Sequence, residues 1–292
     1  MTEMLGSPAS VYERLGDTRH EFECCDTTFR VHVTGARADA AATAARETAE
    51  SLEAQLDAFD AASAVSQLDH DGEVANEHVA RIVRRGLEYN DRTDGAFDIH
   101  QGRVERNLKT FLRGECDTPP TEFDTGTVRT SGSHVTTDVE LDLNGLAKGY
   151  IVDRASEALA GLGRRGFVSG GGDMSPPTGP VAVESPYGDD TPLKILDTDW
   201  YVATSGRYRR SRDGTDHIYD STTESIGARH ESVTVVARRD CMEADALATT
   251  LAALSLEDTK ALAAEWEGLE ALVVHDGVFH TTEGFDTHVL DT

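Results

Sequence analysis

Lysine is nearly missing from this chain: Lys109, Lys148, Lys194 and Lys260 are the only four in 292 residues. Almost all the other positive charge is arginine, and the two types together number 27 against 53 Asp and Glu, a formal net charge of −26. So anionic a surface repels nucleic acid and anionic lipid head groups, which removes both from the expected partners. A dense acidic, lysine-poor surface predicts a halophilic protein, working in a high-salt cytoplasm where ions screen its self-repulsion. Disorder, which also favours high net charge, is set aside because apolar periodic segments recur along the chain.

Cysteine is scarce too. Cys24, Cys25, Cys116 and Cys241 include no C-x-x-C pair. That spacing suits neither a disulfide framework nor a zinc site, and free thiols in a reducing compartment are expected. No apolar run approaches transmembrane length, so membrane insertion is not expected. Met1 to Ser10 lacks a basic stretch followed by an apolar one, so no signal peptide is read there and a cytoplasmic location is expected.

What is present reads as alternating strands and helices. Residues 22–33 alternate in character and predict a strand. Helices are predicted over 37–61, 76–92, 145–162 and 243–254, the third closed by Gly163. Between them, TDGAFDIHQG reads as a turn-rich loop and 110–140 as irregular chain with a surface hairpin. Strands are expected at GFVS, 200–204 and 232–237, and ALVVHDGVFHTT as two strands around a His-Asp-Gly turn. Long helices among antiparallel strands indicate the α+β class.

Several residues could carry chemistry. Asp245 and Thr249 are four apart on a predicted helix and so share one face. Carboxylate and hydroxyl together are hard oxygen donors of the kind Mg²⁺ takes, although the spacing alone equally suits a solvated helix face. The helix is apolar almost all round, so a buried Asp245 needs a partner. Gly145 and Gly149 flank Lys148 at a helix start, where free N–H groups attract phosphate; an ordinary helix entry with a surface lysine reads the same way. The run SGGGD (169–173) suits an anion nest or, equally, a flexible turn. His217 could take a proton from a hydroxyl near neutral pH, but the chain has 11 histidines. TSGRYRR (204–210) offers hydroxyls and three arginines to a phosphate, or to water.

The order of these pieces carries more than any one of them. CDTTFRV, TDGAFDIHQG, ELDLNGLAKGYIVDRA, VSGGGD, TSGRYRR, HIYDSTTES, EADALATTLAAL and VFHTTEGF follow one another between residues 24 and 285. The series resembles the FAD:protein FMN transferase family, also called the ApbE family. The resemblance implies an α+β fold of mixed sheets packed with long helices, over 21–292, with 1–20 as an N-terminal extension. It implies an enzyme that splits FAD at the pyrophosphate, releases AMP and attaches FMN through a phosphoester to a Thr or Ser hydroxyl of an acceptor flavoprotein. An FAD pyrophosphatase and a non-catalytic FAD-binding protein are the alternatives. It further implies Mg²⁺ held by Asp245, Thr249 and the carbonyl of Ala147, and FAD contacts at Thr27, Asp98, Lys148, Gly171, Gly172, Asp173, Ser205 and Tyr208. His217 is placed near the reacting phosphate, with Asp220 as the other candidate base. The family's M-G is here Cys25-Asp26, the first Gly of its L-G-G is Asn144, and its D-P-x-T-G is Asp220-Ser221-Thr222-Thr223-Glu224.

Overall fold

The computed structural model describes residues 17–35, 37–162, 165–188, 191–206 and 211–290. Most of the expected N-terminal extension, the Gly163 cap and Tyr208 lie outside them.

Eight strands form the main sheet: β1 (Asp17–Cys24), β2 (Thr27–Thr34), β3 (Arg165–Gly170), β4 (Asp173–Met174), β5 (Tyr201–Ser205), β6 (Ser232–Ala237), β7 (Leu269–His275) and β8 (Val278–Thr281). They lie in chain order across the sheet. Every neighbouring pair is antiparallel. The predicted strand over 22–33 is therefore two strands. Its apolar alternation runs on unbroken, but Cys25 and Asp26 both take φ 55° and reverse the chain. This is a two-residue turn without the Asn or Gly that normally announces one.

Seven helices accompany the sheet among the described residues: α1 (Ala38–Leu56), α2 (Ala64–Asp71), α3 (Glu77–Arg92), α4 (Gly102–Leu112), α5 (Asn144–Gly161), α6 (Cys241–Ala253) and α7 (Leu256–Glu265). The helix predicted over 37–61 stops at Leu56, and α2, α4 and α7 were not read from the sequence. The α+β class is as expected. Helix α3 starts where Asn76 accepts hydrogen bonds from the N–H groups of His78 and Val79, satisfying two otherwise orphan donors.

The core explains the pattern of α6. Helix α1 packs on α5, α5 on α6, and α6 on β5 and β6. Twelve of its thirteen residues are buried; a helix enclosed on all sides must be apolar all round. Strand β6 is buried at all six positions because the sheet is covered on both faces. On the side away from the helices, Val202, Val236 and Leu272 pack with Phe285 in a second, smaller core. Asp153 of α5 fastens the start of α6 by accepting from the N–H groups of Cys241 at 2.8 Å and Met242 at 3.1 Å. A carboxylate there also favours the positive end of the helix dipole.

Candidate functional site

A cavity of about 270 Å³ opens where the β1–β2 turn, the Ala96–Asp98 loop, the start of α5, the end of β5 and one face of α6 converge. Thr27, Asp98, Ala147 and Lys148 line it, from segments far apart in sequence. Gly171, Ser205, His217, Asp245 and Thr249 complete the expected residues on its wall. Register brings several together. Phe29 pairs with Gly170 across β2 and β3, so the following Gly171-Gly172 turn meets the first hairpin. Gly171 takes φ 61°, and a Cβ there would stand 3.0 Å from the side chain of Thr27. Gly172 and Asp173 are absent from the wall.

Asp173 nonetheless reaches the centre of the site. It is 1 % exposed, and its Oδ2 accepts a hydrogen bond from Nζ of Lys148. The same ammonium donates to Oδ1 of Asp245 at 3.1 Å, and the Gly149 N–H donates to Oδ2 of Asp245 at 3.1 Å. The lysine expected on a phosphate is thus the counter-ion of two buried acids. Burial pushes the Asp173 carboxyl up, the Asp245 charge pushes the same way, and Lys148 opposes both. Burial alone would lower the Lys148 ammonium; the two carboxylates outweigh it and hold Lys148 above its usual value. Beside this cluster, Oγ of Ser205 and Oγ1 of Thr249 are 3.2 Å apart. Asp245, Thr249 and Ser205 therefore offer adjoining oxygens on one wall.

Across the cavity, Asp98 holds the His100 ring, at 2.5 Å between Oδ1 and Nδ1, and accepts from the His100 N–H and Gln101 Nε2. Burial alone would raise the Asp98 carboxyl, but these donors keep it below the usual carboxylate range. Asp220 is buried but does not line the cavity. Its carboxylate accepts from the Thr222 N–H and from the hydroxyls of Thr222 and Thr223, so it shapes the turn. Ser221 ties that turn to the Asp98 loop by donating to the Gly95 carbonyl oxygen at 2.8 Å.

Sequence reasoning missed part of the wall. Tyr219 donates from its hydroxyl to Asp142 Oδ2 at 2.6 Å. Glu105 and Lys109, 2.7 Å apart, project from α4; their i, i+4 spacing was a usable signal once that helix was seen. Burial and Asp142 push the Glu105 carboxyl up to about 7, with Lys109 opposing. Among the described residues, the wall carries the seven carboxylates of Asp26, Glu53, Asp57, Asp98, Glu105, Asp142 and Asp245 against two lysines.

Residues 25–273 match the model of the ApbE family. The chain belongs to the ApbE family. An FAD:protein FMN transferase of Vibrio cholerae is 30 % identical over 209 residues, covering 62 % of each chain. One from Treponema pallidum is 32 % identical over 159 residues, 47 % of this chain and 44 % of that protein. The alignments thus span about three fifths or less of the curated relatives' own length. In fold, the ApbE protein of Thermotoga maritima superposes with a TM-score of 0.82 at 24 % identity, covering 94 % of this chain and 100 % of that one. The flavin transferase ApbE of Vibrio cholerae gives 0.76 at 22 % identity, covering 94 % and 99 %.

Of the three glycines of the ApbE pattern that are substituted here, two positions have left-handed backbone: Asp26 takes φ 55° and Glu224 takes φ 50°. The left-handed region costs a non-glycine residue roughly 1–2 kcal/mol. The turns that flank the cavity therefore hold their shape against local strain, through the Asp220 network at one of them.

Proposed function

We propose that this ApbE-family chain is a Mg²⁺-dependent FAD:protein FMN transferase. One observation carries the reading: among the described residues, the cavity that gathers the motif residues has seven carboxylates and two lysines on its wall. A diphosphate cannot settle among such charges without a cation to offset them. The donors suit that cation: Asp245, Thr249 and the carbonyl of Ala147 all belong to the wall, and all are hard oxygens. Mg²⁺, when bound, supplies neutralisation of the diphosphate charge.

The chain's own residues divide the remaining work. Thr27, Gly171 and Asp98 bound the flavin side of the cavity. Lys148 holds Asp173 and Asp245 in place. Tyr208, outside the described residues, stays an expected FAD contact through the family resemblance alone. His217, half-buried on the wall, accepts the proton as a Thr or Ser hydroxyl oxygen of the acceptor protein bonds to the FMN-side phosphorus. The bond from that phosphorus to the AMP oxygen breaks, and AMP leaves. Asp220 positions the turn rather than the proton. Transfer of this kind rests on placement and charge more than on many catalytic side chains. The acidic, lysine-poor surface belongs to a cytoplasm rich in salt.

The test is incubation with FAD and Mg²⁺, with and without a flavin-accepting protein. AMP released together with flavin fixed to the acceptor supports transfer. AMP with free FMN in both tubes identifies a pyrophosphatase, and uncleaved FAD identifies a binding protein.

A further inference from the structure

The first hairpin turn gathers a second set of ligand atoms, apart from Asp245 and Thr249. Cys24 ends β1 and is buried; Cys25 follows it in the turn. Along a continued strand their side chains would point to opposite faces. The left-handed backbone at Cys25, φ 55°, breaks that alternation, and the two Sγ atoms stand 3.8 Å apart. Glu53 joins them from α1, where one carboxylate oxygen accepts the Cys25 N–H. The thiols and the carboxylate place one ligand atom each within 4.8 Å of one another.

We propose that Cys24, Cys25 and Glu53 form a Zn²⁺ site at the rim of the cavity. The sulfur separation is the first support. With Zn–S bonds of about 2.3 Å, two thiolates on one tetrahedral ion lie about 3.8 Å apart. The ligand types are the second. Thiolates select Zn²⁺ over Mg²⁺, which prefers oxygen alone, so the two clusters sort different ions. The hydrogen bond from the Cys25 N–H fixes the Glu53 carboxylate, as outer-shell bonds orient metal ligands elsewhere. Charge is the third. The two lysines of the wall are engaged with Glu105, Asp173 and Asp245, so an added cation here meets carboxylates already in excess. Three protein ligands leave a fourth position, and because Cys25 and Glu53 line the cavity, that position adjoins the substrate space. The cysteine spacing alone carried no such signature, because the third ligand sits 28 residues away on another element. Binding releases the thiol protons.

The experiment uses the full chain, reduced and freed of reductant without air, in millimolar Mg²⁺. Cd²⁺ is titrated as the spectroscopic probe and Zn²⁺ as its competitor. One equivalent of Cd²⁺ should saturate a near-ultraviolet thiolate-to-metal band, and Zn²⁺ should remove it. Cys24→Ser and Cys25→Ser should each weaken binding by tenfold or more, Glu53→Gln by roughly tenfold, and Cys116→Ser not at all. Absence of the band in the wild-type protein, or its survival unchanged in Cys25→Ser, overturns the proposal without touching the reading of the flavin site.

Discussion

The amide N–H of Gly149 donates to Oδ2 of Asp245 at 3.1 Å, which joins α5 to α6 at the acid expected to hold a metal. Only glycine permits that approach. A Cβ at position 149 would lie 2.6 Å from the Cys241 carbonyl oxygen, and both partners are backbone of packed helices. Gly149→Ala should therefore destabilise the fold by about 1–3 kcal/mol and lower the affinity for divalent cations. Chemical denaturation and a Mg²⁺ titration check both effects. An unchanged stability would mean that the helices separate freely at this contact.

His217→Ala should slow flavin transfer while leaving FAD binding nearly intact, because a proton acceptor matters mostly in the transition state. Flavin binding and single-turnover AMP release, measured on the same preparation, separate the two. A normal rate of transfer would make His217 structural.

How far the sequence led is clearest at particular residues. The helices over 76–92 and 145–162 were placed within a residue at each end, since each carries apolar residues at helical spacing. Helix α4 was legible too, through Val104, Leu108 and Phe111, but the turn-rich segment before it drew the reading toward loop. The β1–β2 turn was not legible, because Cys25 and Asp26 hold a backbone they do not advertise. The cavity wall divides the same way. Residues inside linear motifs were found. Glu53 and Glu105 reach the wall from outside any motif reading, Tyr219 sits inside HIYDSTTES but was not singled out there, and the partnership of Lys148 with Asp173 and Asp245 depends on contacts 25 and 97 residues apart.

His230 should make stability depend on pH. It is fully buried, bonded to Thr259 and His275, and burial, then the neighbouring His275, lowers its pKa from 6.5 to about 4. The unfolded chain therefore takes up a proton first as pH falls. The stabilisation from a neutral His230 is complete above pH 6.5 and is lost as pH drops toward 4. The loss amounts to about 3 kcal/mol. Subtracting the unfolding free energies of His230→Gln from those of the wild type, point by point in pH, should show that slope; a flat difference would contradict it.

Salt should stabilise the fold, because a net charge of −26 repels itself when unscreened. Circular dichroism melting curves are recorded through dialysis from molar KCl into dilute buffer. The midpoint should fall as salt is removed, and an unchanged curve would remove the high-salt reading.

The central claim is that Asp245 carries the metal on which FAD cleavage depends. The direct measurement is AMP release from FAD against Mg²⁺ concentration, for the wild type, Asp245→Ala and Thr249→Ala. Alanine suits a helix interior, so all three should fold. Asp245→Ala should lose Mg²⁺-dependent cleavage, and Thr249→Ala should keep part of it, since water can replace a neutral hydroxyl. Wild-type AMP release by Asp245→Ala, with the same Mg²⁺ dependence, would contradict the account.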